Sequence, residues 1–175
     1  MYRIKIITII IVLFSLSACG YRLAGKADLD PVFESTYVTY KRGGAAVAEL
    51  LEKQFRANDI KIVAEKDAAV IVNVLYEQKK QEILSVDEQG KVREYALIMR
   101  VGVNAKTVDN KKLMPTQNIR LTRDFIFDID DVLGKQREAA EIYQEMREDI
   151  SRLIIYRLQA VEFEVQEDLE ESEES

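Results

Sequence analysis

The 175-residue chain has no histidine and a single cysteine, Cys19. Without histidine it lacks the commonest general base near neutral pH and the commonest transition-metal ligand. A lone cysteine has no partner for an internal disulfide. A Ser or Thr nucleophile would find only a lysine or a carboxylate as its base. Neither an enzyme nor a bound cofactor is therefore expected, and no metal centre. Asp128-Ile129-Asp130-Asp131 begins like a calcium loop. However, Leu133 occupies the sixth position, which needs glycine, and Ala139 the twelfth, which needs glutamate. These acids suit the N-terminus of a helix instead. Arg42-Gly43-Gly44 precedes a helical pattern without a P-loop lysine, and reads as a turn. The body of the chain also lacks net charge. The formal total is −6, but eight acids and no base lie between Glu162 and Ser175. Between Cys19 and Val161 stand 23 basic and 23 acidic residues. A nucleic-acid partner, which would call for a basic face, is not expected.

A run long enough to span a bilayer is missing too. Ile6–Leu16 is apolar but would extend only about 16 Å as a helix, roughly half of a hydrocarbon core. Arg3 and Lys5 precede it and small residues follow, the pattern of an export signal. Leu16-Ser17-Ala18-Cys19 resembles the lipobox of bacterial lipoproteins, in which the cysteine thiol is alkylated, the chain is cut before it, and the new N-terminus is acylated. Two or more acyl chains anchor stably, at about 0.8 kcal/mol per buried methylene. Residue 20 is Gly rather than the Asp that tends to retain enteric lipoproteins in the inner membrane, so the resemblance implies the outer membrane.

What remains reads as one domain. Residues 1–18 are the expected signal peptide, 19–34 a lipidated tether, 35–161 the domain, and 162–175 an acidic tail too poor in apolar residues to fold alone. Ser35–Lys41 is β-rich, and Gly43-Gly44 ends it. Val47, Leu50, Leu51 and Phe55 then recur at helical spacing over Ala45–Ala57. Ile60–Val63 is a short strand or extended link. Ala68–Val86 reads as a long strand, buried at its first half and wet at its second. Asp87-Glu88-Gln89-Gly90 is a turn. Val92–Val108 has a period of two, with Tyr95, Leu97, Met99, Val101, Val103 and Ala105 on one face and Glu94, Arg100, Asn104 and Lys106 among the residues of the other. Gln117–Asp128 is a further strand whose apolar stripe Arg123 interrupts. Lys135–Val161 is a helix with its stripe through Ala139, Tyr143, Met146, Ile150, Leu153, Ile154 and Val161. The expected architecture is α+β: a two-layer sandwich, two helices packed on one face of a four-stranded mixed sheet. Lys79-Lys80, Lys91-Val92-Arg93 and Lys111-Lys112 read either as solvated surface and edge protection or as basic points meeting the phosphates of an anionic lipid.

Several segments together resemble the family of lipopolysaccharide-assembly lipoproteins. These are Cys19-Gly20-Tyr21-Arg22-Leu23, then Gly90 with Glu94-Tyr95-x-Leu97-x-Met99. Arg123-Asp124-Phe125-Ile126-Phe127-Asp128 follows, with Val132-Leu133-Gly134-Lys135, Glu138 and Glu145-Met146. The resemblance implies two helices against a four-stranded sheet and a role without catalysis. The implied protein plugs a large outer-membrane β-barrel, the lipopolysaccharide translocon, at about 1:1, helps it assemble, and binds lipopolysaccharide. Lys135 stands at the family's Leu-x-Lys position before the last helix and is the lipid contact carried over. Lys91 and Arg93 are further candidates. The turn before Gly90, basic in some members, is acidic here. A generic structural or barrel-assembly lipoprotein without a lipid ligand is the alternative. Cys19→Ala is expected to abolish lipidation, read as loss of acyl mass and of partition into detergent.

Overall fold

The computed structural model describes residues 29–160. The signal segment, Cys19, most of the expected tether and the acidic tail lie outside the described residues. The chain forms β1 (Ser35–Tyr40), α1 (Ala45–Ala57), β2 (Lys61–Ile62), β3 (Val70–Val86), β4 (Val92–Thr107), β5 (Lys112–Ile126) and α2 (Val132–Gln159). The sheet runs β2-β1-β3-β4-β5. β1 is parallel to both β2 and β3, and the other pairs are antiparallel, so the sheet is mixed.

The sheet has five strands, not the expected four. The fifth is β2, held by Ser35↔Lys61 and Thr36↔Ile62 and by a 3.1 Å bond from Val63 N–H to the Thr36 carbonyl. It lies within Ile60–Val63, which the sequence leaves open between a short strand and an extended link, because two residues are too few for periodicity to decide. β5 also starts earlier than Gln117, because pairing continues past Pro115 to Lys112 through a bulge opposite Val103 to Lys106. A proline is tolerated there because β5 is an edge strand. Ahead of β1, Pro31–Glu34 forms a 3-10 turn capped by Asp30, whose carboxylate accepts from Val32 N–H. Phe33 of that turn is 1% exposed and part of the core.

Both helices cover one face of the sheet. α1 contributes Val47, Leu51 and Phe55, and α2 contributes Met146, Ile150, Ile154 and Leu158. They meet Val70, Val72 and Val74 of β3 and Met99, Val101 and Val103 of β4. Each such side chain contributes about 1.5–3 kcal/mol by leaving water. α2 begins at Val132 because Asp131 caps it, accepting from Gly134 N–H at 3.0 Å. From there it runs back along the strands. Lys135 lies over the Phe125 ring, the Tyr143 hydroxyl donates to the Lys80 carbonyl, and Arg157 donates to the Gln117 side chain.

Polar pins fix this docking. Arg123, which interrupts the apolar stripe of β5, donates to Asp149 at 2.7 Å. Under α2, Arg147 Nε lies 3.0 Å from Glu77 Oε1, and the side chains are 14% and 5% exposed. Glu77 Oε2 is buried and has no hydrogen-bond partner among the described residues. Lys79 Nζ stands 3.8 Å from Glu77 and over the Tyr143 ring. Burial pushes the Lys79 ammonium below its usual range, the Arg147 charge adds to this, and Glu77 opposes it. Burial likewise raises Tyr143.

Gly102 sits in mid-strand because Tyr76 lies across it. A Cβ there would come within 2.4 Å of the Tyr76 ring. The ring reaches over β4 and its hydroxyl donates to Asn118 on β5 at 2.7 Å. Valine suits a strand better than glycine. Gly102→Val is nevertheless expected to destabilise by about 1–3 kcal/mol, because the ring must leave. A lowered urea midpoint checks this; an unchanged or raised midpoint would show that the ring moves freely.

Candidate lipid-contact site

The β3–β4 hairpin runs on past the last β5 pair, Glu94↔Ile126, to Val86↔Val92 and its turn. Asp87 builds that turn, its carboxylate accepting from the N–H groups of Gln89 and Lys91 at 2.9 Å each. Gly90 adopts φ +80° and meets nothing within 4 Å of a built Cβ, so glycine is required by the backbone alone. The chain leaving β5 is tied to the hairpin. Phe127 N–H donates to the Arg93 carbonyl at 2.9 Å, and the Phe127 and Tyr95 rings meet edge to face at 5.4 Å. The Tyr95 row continues to Ile83 and Phe125, and Phe125 carries Lys135 at 5.5 Å. The hairpin tip, the end of β5 and the start of α2 therefore form one end of the molecule.

Lys91, Arg93 and Lys135 all lie at this end, but in different states. Lys91 and Arg93 are exposed. Lys135 is committed to its own helix. It is 2.8 Å from Glu138, its stem packs on Phe125, and its side chain is 21% exposed. The other basic runs go elsewhere. Lys79 faces α2, Lys80 the uncovered side of the sheet, and Lys111 and Lys112 the opposite end. The acidic run before α2 serves turns and caps: Asp128 accepts from Asp130 N–H and Asp131 from Gly134 N–H. Among the described residues, no cluster of three or more potential metal ligands occurs, and no helix is long and apolar enough to cross a membrane.

The sequence reading missed the apolar character of this end. Ile83, Leu84 and Val86 of β3, Ile126, Ile129, and Val132 and Leu133 of α2 are all exposed, Leu133 by 68%. Exposed apolar side chains clustered rather than scattered mark a contact surface. A signal was present in the sequence: Val132 and Leu133 lie outside the α2 stripe, which starts at Ala139, and Ile83-Leu84 follows a polar stretch. Two exposed basic side chains, Lys91 and Arg93, stand beside it.

A mixed sheet with two helices on one face and an overlong central hairpin is a fold of bacterial lipoproteins. Lipoprotein B from Nitrosomonas europaea shares it at 29% identity and a TM-score of 0.66, over 81% of this chain and 91% of that one. The rare lipoprotein B from Shewanella oneidensis has the same fold at 24% identity and a TM-score of 0.66, over 75% and 98%. Within that class, residues 31–158 match the LptE family, described as lipopolysaccharide-assembly, and the chain belongs to it. The LPS-assembly lipoprotein LptE of Photorhabdus laumondii is 25% identical over 162 residues, which are 91% of this chain and 88% of the relative. Because Ile129 and Leu133 are exposed, replacing both by Asn is expected to change stability by no more than about 0.5 kcal/mol. The same variant should lose binding of a hydrophobic dye or of detergent monomers. A large drop in the denaturation midpoint would instead place these residues in the core.

Proposed function

We propose that the chain is an outer-membrane lipoprotein that plugs and helps assemble the β-barrel lipopolysaccharide translocon and takes part in inserting lipopolysaccharide at the cell surface. Export by residues 1–18 and acylation of Cys19 tether the domain, which faces the periplasm or sits within the barrel lumen. Membership of the lipopolysaccharide-assembly family over 31–158 carries the reading. The end bearing exposed Ile83, Leu84, Ile129 and Leu133 beside Lys91 and Arg93 supports a lipid contact, because a lipid A moiety pairs acyl chains with phosphates. A net-neutral, polar-surfaced body suits the polar lumen of a large barrel.

One observation favours a second reading, a barrel-assembly lipoprotein without a lipid ligand. The Lys135 ammonium already has Glu138 and the Phe125 ring. Two experiments separate them. A pull-down of the lipidated protein from solubilised outer membrane should bring down one large β-barrel near 1:1; a mixture, or no barrel, overturns the plug. Lys135→Asp should weaken lipopolysaccharide binding several-fold at matched salt with the fold intact by circular dichroism. Unchanged binding would give Lys135 a structural role and remove it from the lipid site.

A further inference from the structure

The helices cover one face of the sheet, and the side chains of the other face alternate with the core residues. Three rows of that open face stand together: Gln78↔Arg100↔Arg120, Lys80↔Ile98↔Thr122 and Glu82↔Ala96↔Asp124. Arg100 and Arg120 are directly opposite across β4 and β5, and both are exposed. Like charges placed so are destabilising, and among the described residues neither guanidinium forms an ion pair with a carboxylate within 4 Å, whereas Lys80 is 2.6 Å from Glu82. The field of the pair extends along the face. The Glu82 carboxyl is held below its usual range first by its hydrogen bond and ion pair with Lys80, then by Arg120 and Arg100.

The same place has a concave floor. Ile98 belongs to the open face, yet it is 1% exposed, so the long side chains around it lie over it. Beside it is a cavity of about 280 Å³ lined by Gln78, Lys79, Lys80, Ile98 and Arg100. The hollow is lined by the Arg100 guanidinium and the Lys80 stem, and Arg120 stands directly opposite Arg100 on the neighbouring strand; two guanidinium forks and an ammonium on one face are a donor set that a tetrahedral oxyanion takes in more than one direction.

We propose that Lys80, Arg100 and Arg120 form a phosphate-binding site on the uncovered face of the sheet, and that the phosphate is carried by a glycolipid. The glycolipid source rests on the lipopolysaccharide reading above; the site itself rests on the like-charge pair and the hollow. It is separate from the apolar end, since these rows lie nearer the middle of β4 than Tyr95. An anion bound here removes the repulsion that the free protein carries.

The test uses the full mature protein in detergent. Its probes are diphosphorylated lipid A, the same lipid A after enzymatic dephosphorylation, and inorganic phosphate, all at matched ionic strength. Arg100→Gln/Arg120→Gln should bind diphosphorylated lipid A about tenfold or more weakly and bind the dephosphorylated lipid as the wild type does. Lys111→Gln/Lys112→Gln, the same charge change at the opposite end, should bind both normally. In phosphate-free buffer, Arg100→Gln should raise the melting temperature by roughly 1–4 °C, since a repulsion is relieved. Equal loss in the two charge-matched variants, or unchanged affinity in the arginine variant, overturns the site. If the wild type binds inorganic phosphate through these arginines but neither lipid, the glycolipid source is overturned and the lipid contact of the proposed function falls with it. If instead only Lys135→Asp weakens lipid binding, the apolar end stands and the open-face site does not.

Discussion

The pleat of β4 sets where nearly every side chain of the sheet must go. This strand pairs with β3 along one edge and β5 along the other over almost its whole length. Its odd positions from Leu97 to Ala105 are buried, and Arg100 between them is exposed. A shift of one residue in either ladder would exchange the two faces and turn Arg100 and Asn104 into the core. The helices add to this constraint rather than define it. Their apolar stripes fit only the face that β4 has made apolar.

That dominance explains what could be read from the sequence. The apolar odd positions from Tyr95 to Ala105, the Gly90 turn and the helical spacing of Val47, Leu51 and Phe55 are local patterns, and the corresponding elements form where those patterns lie. Ile60–Val63 reads as a short strand or an extended link, and β2 lies inside it; what the local sequence does not carry is its place in the sheet, which depends on pairing with β1 across an intervening helix. The earlier start of β5 depends on its being an edge, where Pro115 costs no ladder bond. Arg123 looked like an interruption because its partner, Asp149, is 26 residues away on a helix. Lys135 was visible as a cation in the right motif, but its engagement with Glu138 and Phe125 is a property of the folded end. The pair Lys79-Lys80 reads as one basic patch in sequence and is divided by the pleat between two faces.

The molecule thus has three surfaces of different character. One face is sealed by helices. The other is a polar ladder in which Asn73 donates to Asn104 and Tyr76 to Asn118, interrupted by the arginine pair. One end is apolar and rimmed by Lys91 and Arg93. Most of the exposed large apolar side chains stand at this end, and Tyr40, Val108 and Tyr156 lie scattered elsewhere, which leaves the remainder of the surface compatible with water or with a polar wall.

The pins between α2 and the sheet have a mechanical consequence. Lys135 on Phe125, Tyr143 on Lys80, Arg147 on Glu77 and Arg157 on Gln117 lie at successive heights along the helix. Sliding α2 by one turn, about 5.4 Å, would unseat all of them and part the Glu77 carboxylate from Arg147, leaving it only the more distant Lys79. The helix is therefore a strut rather than a slider. A tug applied at the hairpin tip is borne along the strands and the strut together, and reaches the far end with the domain's length unchanged.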